Sequence, residues 1–215
     1  MKILKNTASS DCIRISWYNE KTDLLGPFFR FVLWVQGCER RCPGCIAENM
    51  HSLTGGSEMK LYDLASLVIS ADECEGITIS GGEPFYQADK ICTLIEMIKS
   101  TRPDFGVIIY TGYRINELKN TGEEAVQKLI NLADIIIDGP YEETLDDNKG
   151  LRGSSNQNVI FLTDRYKNMS EIYTNPGGRR NKIEITETSL RMTGVPSENT
   201  KQFLKEPLIK SRLTT

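Results

Sequence analysis

Short apolar runs with little internal alternation, separated by amphipathic helical stripes, predict an α/β protein built on a mostly parallel sheet with covered faces. The clearest runs are "FGVIIY" at Phe105–Tyr110 and "DIIIDG" at Asp134–Gly139. The clearest stripe lies just ahead of the first of them, where Ala88–Ser100 repeats Ile91, Leu94, Ile95 and Ile98 at helical spacing. A chain of 215 residues is long enough for one substantial core.

The first strand of this pattern is Phe28–Gln36, "FFRFVLWVQ", aromatic and branched with only Arg30 charged, so it is expected to be buried on both faces, with Phe31 and Trp34 in the core. Trp17 is placed over the N-terminal edge. A helix is expected over Glu58–Ser70, with Leu61, Leu64, Ala65 and Val68 inward, then a strand at Gly76–Ser80, "GITIS", ended by a Gly-Gly pair. Glu123–Leu132 reads as another helix, facing inward through Ala125, Val126 and Leu129. Beyond Tyr141 the chain turns polar: Glu142–Gln157 is a long loop of the kind that carries function, followed by the strand-like "NVIFL" at Asn158–Leu162. "KIEITE" at Lys182–Glu187 fits an exposed strand, and the end of the chain holds a short amphipathic stretch broken by Pro207.

Composition narrows the function classes. Hydrophobic residues at 39% and charged residues at 26% fit a folded chain, and a net charge of -3 with pI near 5.4 gives no overall field for a polyanion, which argues against direct nucleic-acid binding. The one local basic patch is Gly178–Lys182. Lys2 precedes no apolar run of signal or membrane length, so a cytoplasmic location without membrane contact is expected.

Six cysteines, unevenly spaced, do not form a disulfide framework, yet "GCERRCPGC" at Gly37–Cys45 crowds three of them together. Cys38, Cys42 and Cys45 follow the carboxyl end of a strand, and Arg40 and Arg41 beside them favour thiolates. A structural zinc site wants four protein ligands, and the remaining candidates are His51 near the loop or the distant Cys12, Cys74 and Cys92. An iron-sulfur cube on three thiolates leaves one iron open to a small molecule. The three-cysteine set suits the cube better, with zinc on His51 as the alternative.

The spacing Cys38-x-x-x-Cys42-x-x-Cys45 matches the signature of the radical S-adenosylmethionine superfamily. With "ISGGEP" at Ile79–Pro84, "YTGY" at Tyr110–Tyr113, "DGPY" at Asp138–Tyr141 and "RGSSNQ" at Arg152–Gln157, the chain resembles the activating proteins of anaerobic ribonucleotide reductase over roughly residues 24–195. Two features depart from that pattern: "LLGPF" at Leu24–Phe28 lacks the usual acidic opening, and Gly44 stands where an aromatic residue is common before the last cysteine.

The resemblance implies a partial (βα) barrel with an open, mostly parallel sheet. It implies a radical domain over 1–196, including an N-terminal edge extension, with a tail at 197–215. Cys38, Cys42 and Cys45 would hold a 4Fe-4S cluster whose fourth iron takes the methionyl end of S-adenosylmethionine. Gly81, Gly82, Glu83 and Pro84 would lie along that cofactor's amino group, Thr111 and Gly112 along its adenosyl half, and Asp138 near the reacting centre or a ribose hydroxyl. Arg152, Ser154, Asn156 and Gln157 would bind cofactor or shape a docking surface. No side chain is assigned as the catalytic one. The implied reaction is reductive cleavage to a 5′-deoxyadenosyl radical, which takes hydrogen from a glycine of a large glycyl radical enzyme, with flavodoxin or ferredoxin as external electron donor. A radical enzyme acting on another glycyl radical enzyme, a peptide or a small molecule, and a simple iron-sulfur electron carrier, are the competing readings.

Overall fold

The computed structural model describes residues 11–175, 179–185 and 190–205. Lys2, Gly178, the end of the 182–187 run and Pro207 lie outside them. In chain order the elements are β1 (Cys12–Thr22), β2 (Arg30–Val35), β3 (Ser57–Lys60), α1 (Leu61–Ser70), β4 (Gly76–Gly81), α2 (Ala88–Thr101) and β5 (Gly106–Tyr110). There follow α3 (Ile115–Lys119), α4 (Glu124–Leu132), β6 (Ile135–Asp138), β7 (Asn158–Phe161), β8 (Lys182–Ile185), β9 (Leu190–Thr193) and α5 (Glu198–Lys205).

Among the described residues, seven strands form one open sheet in the order β3-β1-β2-β4-β5-β6-β7, and β8 pairs with β9 apart from it. The central strands β2, β4, β5 and β6 run parallel, in register from Arg30 opposite Gly76 and Gly76 opposite Gly106. β1, β3 and β7 are antiparallel additions, so the sheet is mixed and does not close into a barrel. The reason is connectivity: β1–β2 and β6–β7 are joined by loops without a crossover helix, and such connections return the chain antiparallel.

Successive residues of the parallel strands enter different layers, as the period of two requires. Phe31, Leu33, Val35, Ile77, Ile79, Val107, Ile109 and Ile136 pack with α1, α2 and α4 in the main core. On the other face Ile108, Ile135 and Ile137 meet Leu151, Tyr166 and Tyr173, while Val32 and Trp34 meet Leu25 and Met50. Helices thus cover one face, and loops with a 3₁₀ segment at Lys167–Tyr173 cover the other. The inward stripe of α1 is the expected Leu61, Leu64, Ala65 and Val68, but the helix begins at Leu61, because Glu58–Lys60 pairs with β1 as an edge strand.

Candidate functional site

All four parallel strands end on the same edge of the sheet, where ligands of open α/β sheets collect. β2 runs into the cysteine loop, β4 into Gly81-Gly82-Glu83, β5 into Thr111-Gly112 and β6 into the 139–157 loop. These ends surround a cavity of about 450 Å³, within the roughly 300–1,000 Å³ range of small-molecule sites. Cys38, Cys42 and Cys45 line it together with Gly81, Gly82, Glu83, Thr111 and Gly112.

The cysteine loop is shaped by two left-handed residues, Arg41 (φ 50°) and Gly44 (φ 73°), and by a Cys45 N–H to Cys42 C=O bond of 3.1 Å. All three thiols are free and half-buried. Burial raises the Cys38 pKa and pushes Cys45 up to about 11; the amides of Arg40 and Arg41 at Cys38, and of Ala47 at Cys45, act in the opposite direction by donating toward sulfur. Among the described residues no three Cys, His, Asp or Glu side chains are gathered as a site for a metal ion. What the loop offers is three soft donors, backbone N–H groups directed at sulfur and adjacent cavity space. That donor chemistry fits an iron-sulfur cluster.

The glycine pair is dictated by close packing. A Cβ on Gly81, which has φ 103°, would stand 2.6 Å from Val35 O, and one on Gly82 would stand 2.4 Å from Gly37 O. Backbone N–H groups of Gly82 and Glu83 bond those same carbonyls at 2.8 Å, locking the β4 end to the cysteine loop. Pro84 opens a short 3₁₀ turn, with Glu83 as its cap.

Glu83 is only 1% exposed. Its carboxylate accepts from Phe85 N–H (3.0 Å), Thr111 Oγ1 (2.8 Å) and Gly112 N–H (2.9 Å), so it joins the ends of β4 and β5. Burial pushes its pKa up to about 7 against those bonds and the nearby Arg40 charge. A carboxylate has about four acceptor positions, which leaves one for a ligand. Arg40 lies over the Tyr113 ring at 4.6 Å with its Nε buried and without a hydrogen-bond partner, and Gly112 makes room for it.

The other expected residues sit around the cavity without lining it. Asp138 is buried, accepts from Ile115 N–H (2.7 Å) and Asn158 Nδ2 (2.8 Å), and so fixes the start of α3 against β7. Arg152 pairs with Asp147 at 2.7 Å, Ser154 Oγ accepts Glu142 N–H at 3.1 Å, and Asn156 Nδ2 donates to Pro140 O at 2.9 Å. These bonds fold the 139–157 loop upon itself; from "RGSSNQ" it is Gly153 and Gln157 that reach the cavity wall.

Sequence reasoning missed several wall residues. Trp17 and Trp34 stack at 4.0 Å and 3° beside the cysteine loop, and Tyr141, Asp146 and Lys201 close the far side. A register shift in β1 between Ile15 and Trp17 turns Trp17 onto the face opposite Ile13 and Ile15, so the alternation of the strand gave no signal for it. His51, 8% exposed, also lines the cavity; its C=O accepts Cys38 N–H at 3.2 Å and its Nε2 is buried without a partner. Burial and then the Arg41 charge lower its pKa, favouring neutral imidazole.

An open α/β sheet with three thiols and a glycine-walled cavity at its carboxyl edge is the setting of an iron-sulfur protein. Residues 24–160 match the family described as 4Fe-4S single cluster domain. The chain is 31% identical over 143 residues to the anaerobic ribonucleoside-triphosphate reductase-activating protein of Enterobacteria phage T4, covering 65% of this chain and 88% of that protein. The proteins of the same name from Salmonella typhi and Vibrio cholerae serotype O1 are 33% and 32% identical over 144 and 145 residues, covering 64% of this chain and 91% of each relative. The chain belongs to this family of radical S-adenosylmethionine activating proteins. Among the described residues no helix is long and apolar enough to cross a membrane.

Proposed function

We propose that this chain is the activating enzyme of an anaerobic ribonucleotide reductase, using a 4Fe-4S cluster and S-adenosylmethionine to place a radical on a glycine of that partner. The observation that carries the reading is the meeting of Cys38, Cys42 and Cys45 with Gly81-Gly82-Glu83 and Thr111-Gly112 around one cavity. The names of the relatives support the choice of partner. Bound together, the cluster and S-adenosylmethionine would supply a carbon-centred radical able to remove a hydrogen atom from a glycine α-carbon, given one electron from an external donor such as flavodoxin or ferredoxin.

The chain's part is to hold and to exclude. Cys38, Cys42 and Cys45 would hold the cluster, with the Arg40, Arg41 and Ala47 amides stabilising thiolate charge. Glu83 keeps its unused acceptor position for the ammonium group, Gly81 and Gly82 keep side chains out of the way, and Thr111-Gly112 border the adenosyl half. Asp138, Arg152, Ser154 and Asn156 position the surrounding loops. Residues 1–196 then form the radical domain, its open sheet serving as the partial (βα) barrel, at a cytoplasmic location.

The test is anaerobic electron paramagnetic resonance on the reconstituted protein mixed with the reductase, S-adenosylmethionine and a one-electron reductant. A glycyl doublet that disappears with Cys42→Ala is expected. Cofactor cleavage without a doublet would move the assignment to a different glycyl radical enzyme, a peptide or a small molecule.

A further inference from the structure

One wall of the cavity comes from a part of the chain beyond the family match. Met192, Val195, Pro196, Lys201 and Leu204 all line it, and all follow residue 160. They belong to β9, the turn after it and α5, so the end of the described chain lies across the edge where the parallel strands open.

Polar contacts dominate its attachment. Asp146, in the loop after β6, has a side chain only 5% exposed and takes two cations: Arg179, itself 2% exposed, at 2.8 Å, and Lys201 of α5. Its remaining acceptor positions go to Tyr141 OH at 3.2 Å and Asn148 N–H at 2.9 Å. Arg179 then donates to the carbonyls of Arg152 (2.7 Å), Gly153 (3.0 Å) and Pro196 (3.0 Å), so one buried guanidinium ties the "RGSSNQ" loop to the cover. Glu198 N–H adds a bond to Asn148 Oδ1 at 3.2 Å. Apolar attachment rests on a few side chains: Leu190 and Leu204 are buried, Val195 packs on the Leu25, Val32, Trp34 and Met50 cluster, and Arg191 lies over Trp17 at 5.6 Å. Segments held by few apolar contacts open well below the free energy of global unfolding. Asn181 ties the segment to β8 through Val195 O, Ser197 N–H and Thr200 Oγ1, and Asn19 Nδ2 donates to Thr193 Oγ1 at 3.3 Å, so Asp146 is the point at which two charged attachments to the sheet side meet.

We propose that Leu190–Leu204 is a movable cover over the cluster cavity, latched by Arg179 and Lys201 on Asp146, and that the protein substrate enters by displacing it. The identity of that substrate rests on the proposed function; the latch does not. With the cover in place, a glycine carried on a folded partner meets β9 and α5 before it meets the cavity. Release of Asp146 frees α5 through Lys201 and the Pro196 turn through Arg179 together.

The experiment is hydrogen exchange by mass spectrometry on the full-length, anaerobically reconstituted protein, comparing wild type with Asp146→Asn, Lys201→Met and the control Glu198→Gln. Loss of the latch is expected to speed exchange across 190–204 by about tenfold or more in Asp146→Asn and by less in Lys201→Met. Glu198→Gln, whose exposed carboxylate lies 3.9 Å from Lys201 Nζ, should change exchange across 190–204 by less than either latch variant, and protection of β4 should be the same in all forms. Lys201→Met removes one arm of the latch and serves if Asp146→Asn does not fold. Added reductase should speed exchange of 190–204 in wild type and bind Asp146→Asn about fivefold more tightly, because the cover no longer opposes entry. Free-chain exchange of 190–204 in wild type, unchanged exchange in both latch variants, or reductase binding that leaves the segment protected would each overturn the proposal. Reductase binding to no form would overturn the displacement by that partner and the proposed function with it, while the exchange ratios would still decide the latch.

Discussion

The two ends of the same parallel strands are built in opposite ways. At the amino end Arg30 is 0% exposed, and its five N–H donors all find acceptors: Thr78 Oγ1, Glu75, Tyr166 OH and the carbonyls of Ile77 and Gly106, at 2.7–3.0 Å. Gly76 and Gly106 are glycines because a Cβ would stand 2.5 Å from Arg30 Nη2 and 1.8 Å from Tyr166 OH. At the carboxyl end three thiols are free, and Arg40 Nε and His51 Nε2 are buried without partners. A buried charge that is fully satisfied closes a sheet, whereas unsatisfied donors beside a cavity mark where a ligand belongs.

The contrast can be broken at either end, and the stability of the iron-free chain measures how far. Arg30→Met takes the donor from Thr78 Oγ1, Tyr166 OH and the carbonyls of Ile77 and Gly106, while Glu75 keeps Arg165 at 2.7 Å, and should cost about 3–5 kcal/mol in urea unfolding; a loss below about 1 kcal/mol would mean that the amino end is not sealed by charge. Gly82→Ala drives a Cβ onto Gly37 O, and should cost about 1–3 kcal/mol while lowering the iron retained per chain. Normal iron content in that variant would show that the β4 end and the cysteine loop are not locked together.

Glu83 sharpens the comparison through pH. Its folded pKa of about 7 lies above the ordinary 4.5, so between those values the folded state holds a proton that the unfolded chain has lost. Stability from this group is therefore greatest below the ordinary value and declines as pH rises toward 7. Thermal melts of Glu83→Gln should lack that decline, and a parallel pH profile in both proteins would contradict the buried-acid assignment. The smallest effect on the fold is expected from Cys42→Ala, about 0.5 kcal/mol or less by the same unfolding assay, because this half-buried thiol holds little of the iron-free structure together.

The parallel core was legible because buried strands show as unbroken apolar runs and α2 and α4 carry full helical stripes. The edges were not. Ser57–Lys60 is polar and exposed, and its strand geometry comes from pairing with Cys12–Ile15; read locally, its residues continue the helix that follows. β9 is four residues long, and its place against the cavity depends on Arg179 reaching Asp146, a contact across 33 positions that periodicity does not encode. Within the site, the cysteine spacing and "GGEP" named two loops that the fold brings together at one cavity. The use of Gly81 and Gly82 to approach the cysteine loop, and the turning inward of Arg152, Ser154 and Asn156, follow from backbone geometry visible only after folding.

The central claim is that the carboxyl-edge cavity holds a three-cysteine cluster together with S-adenosylmethionine. The most direct measurement is the yield of 5′-deoxyadenosine from the anaerobically reconstituted protein, given a strong one-electron reductant and S-adenosylmethionine, beside Cys42→Ala. Cluster-dependent product in the wild type and none in the variant is the predicted result. A wild type with its cluster intact that neither binds the cofactor nor yields the product would contradict the claim and leave an iron-sulfur electron carrier.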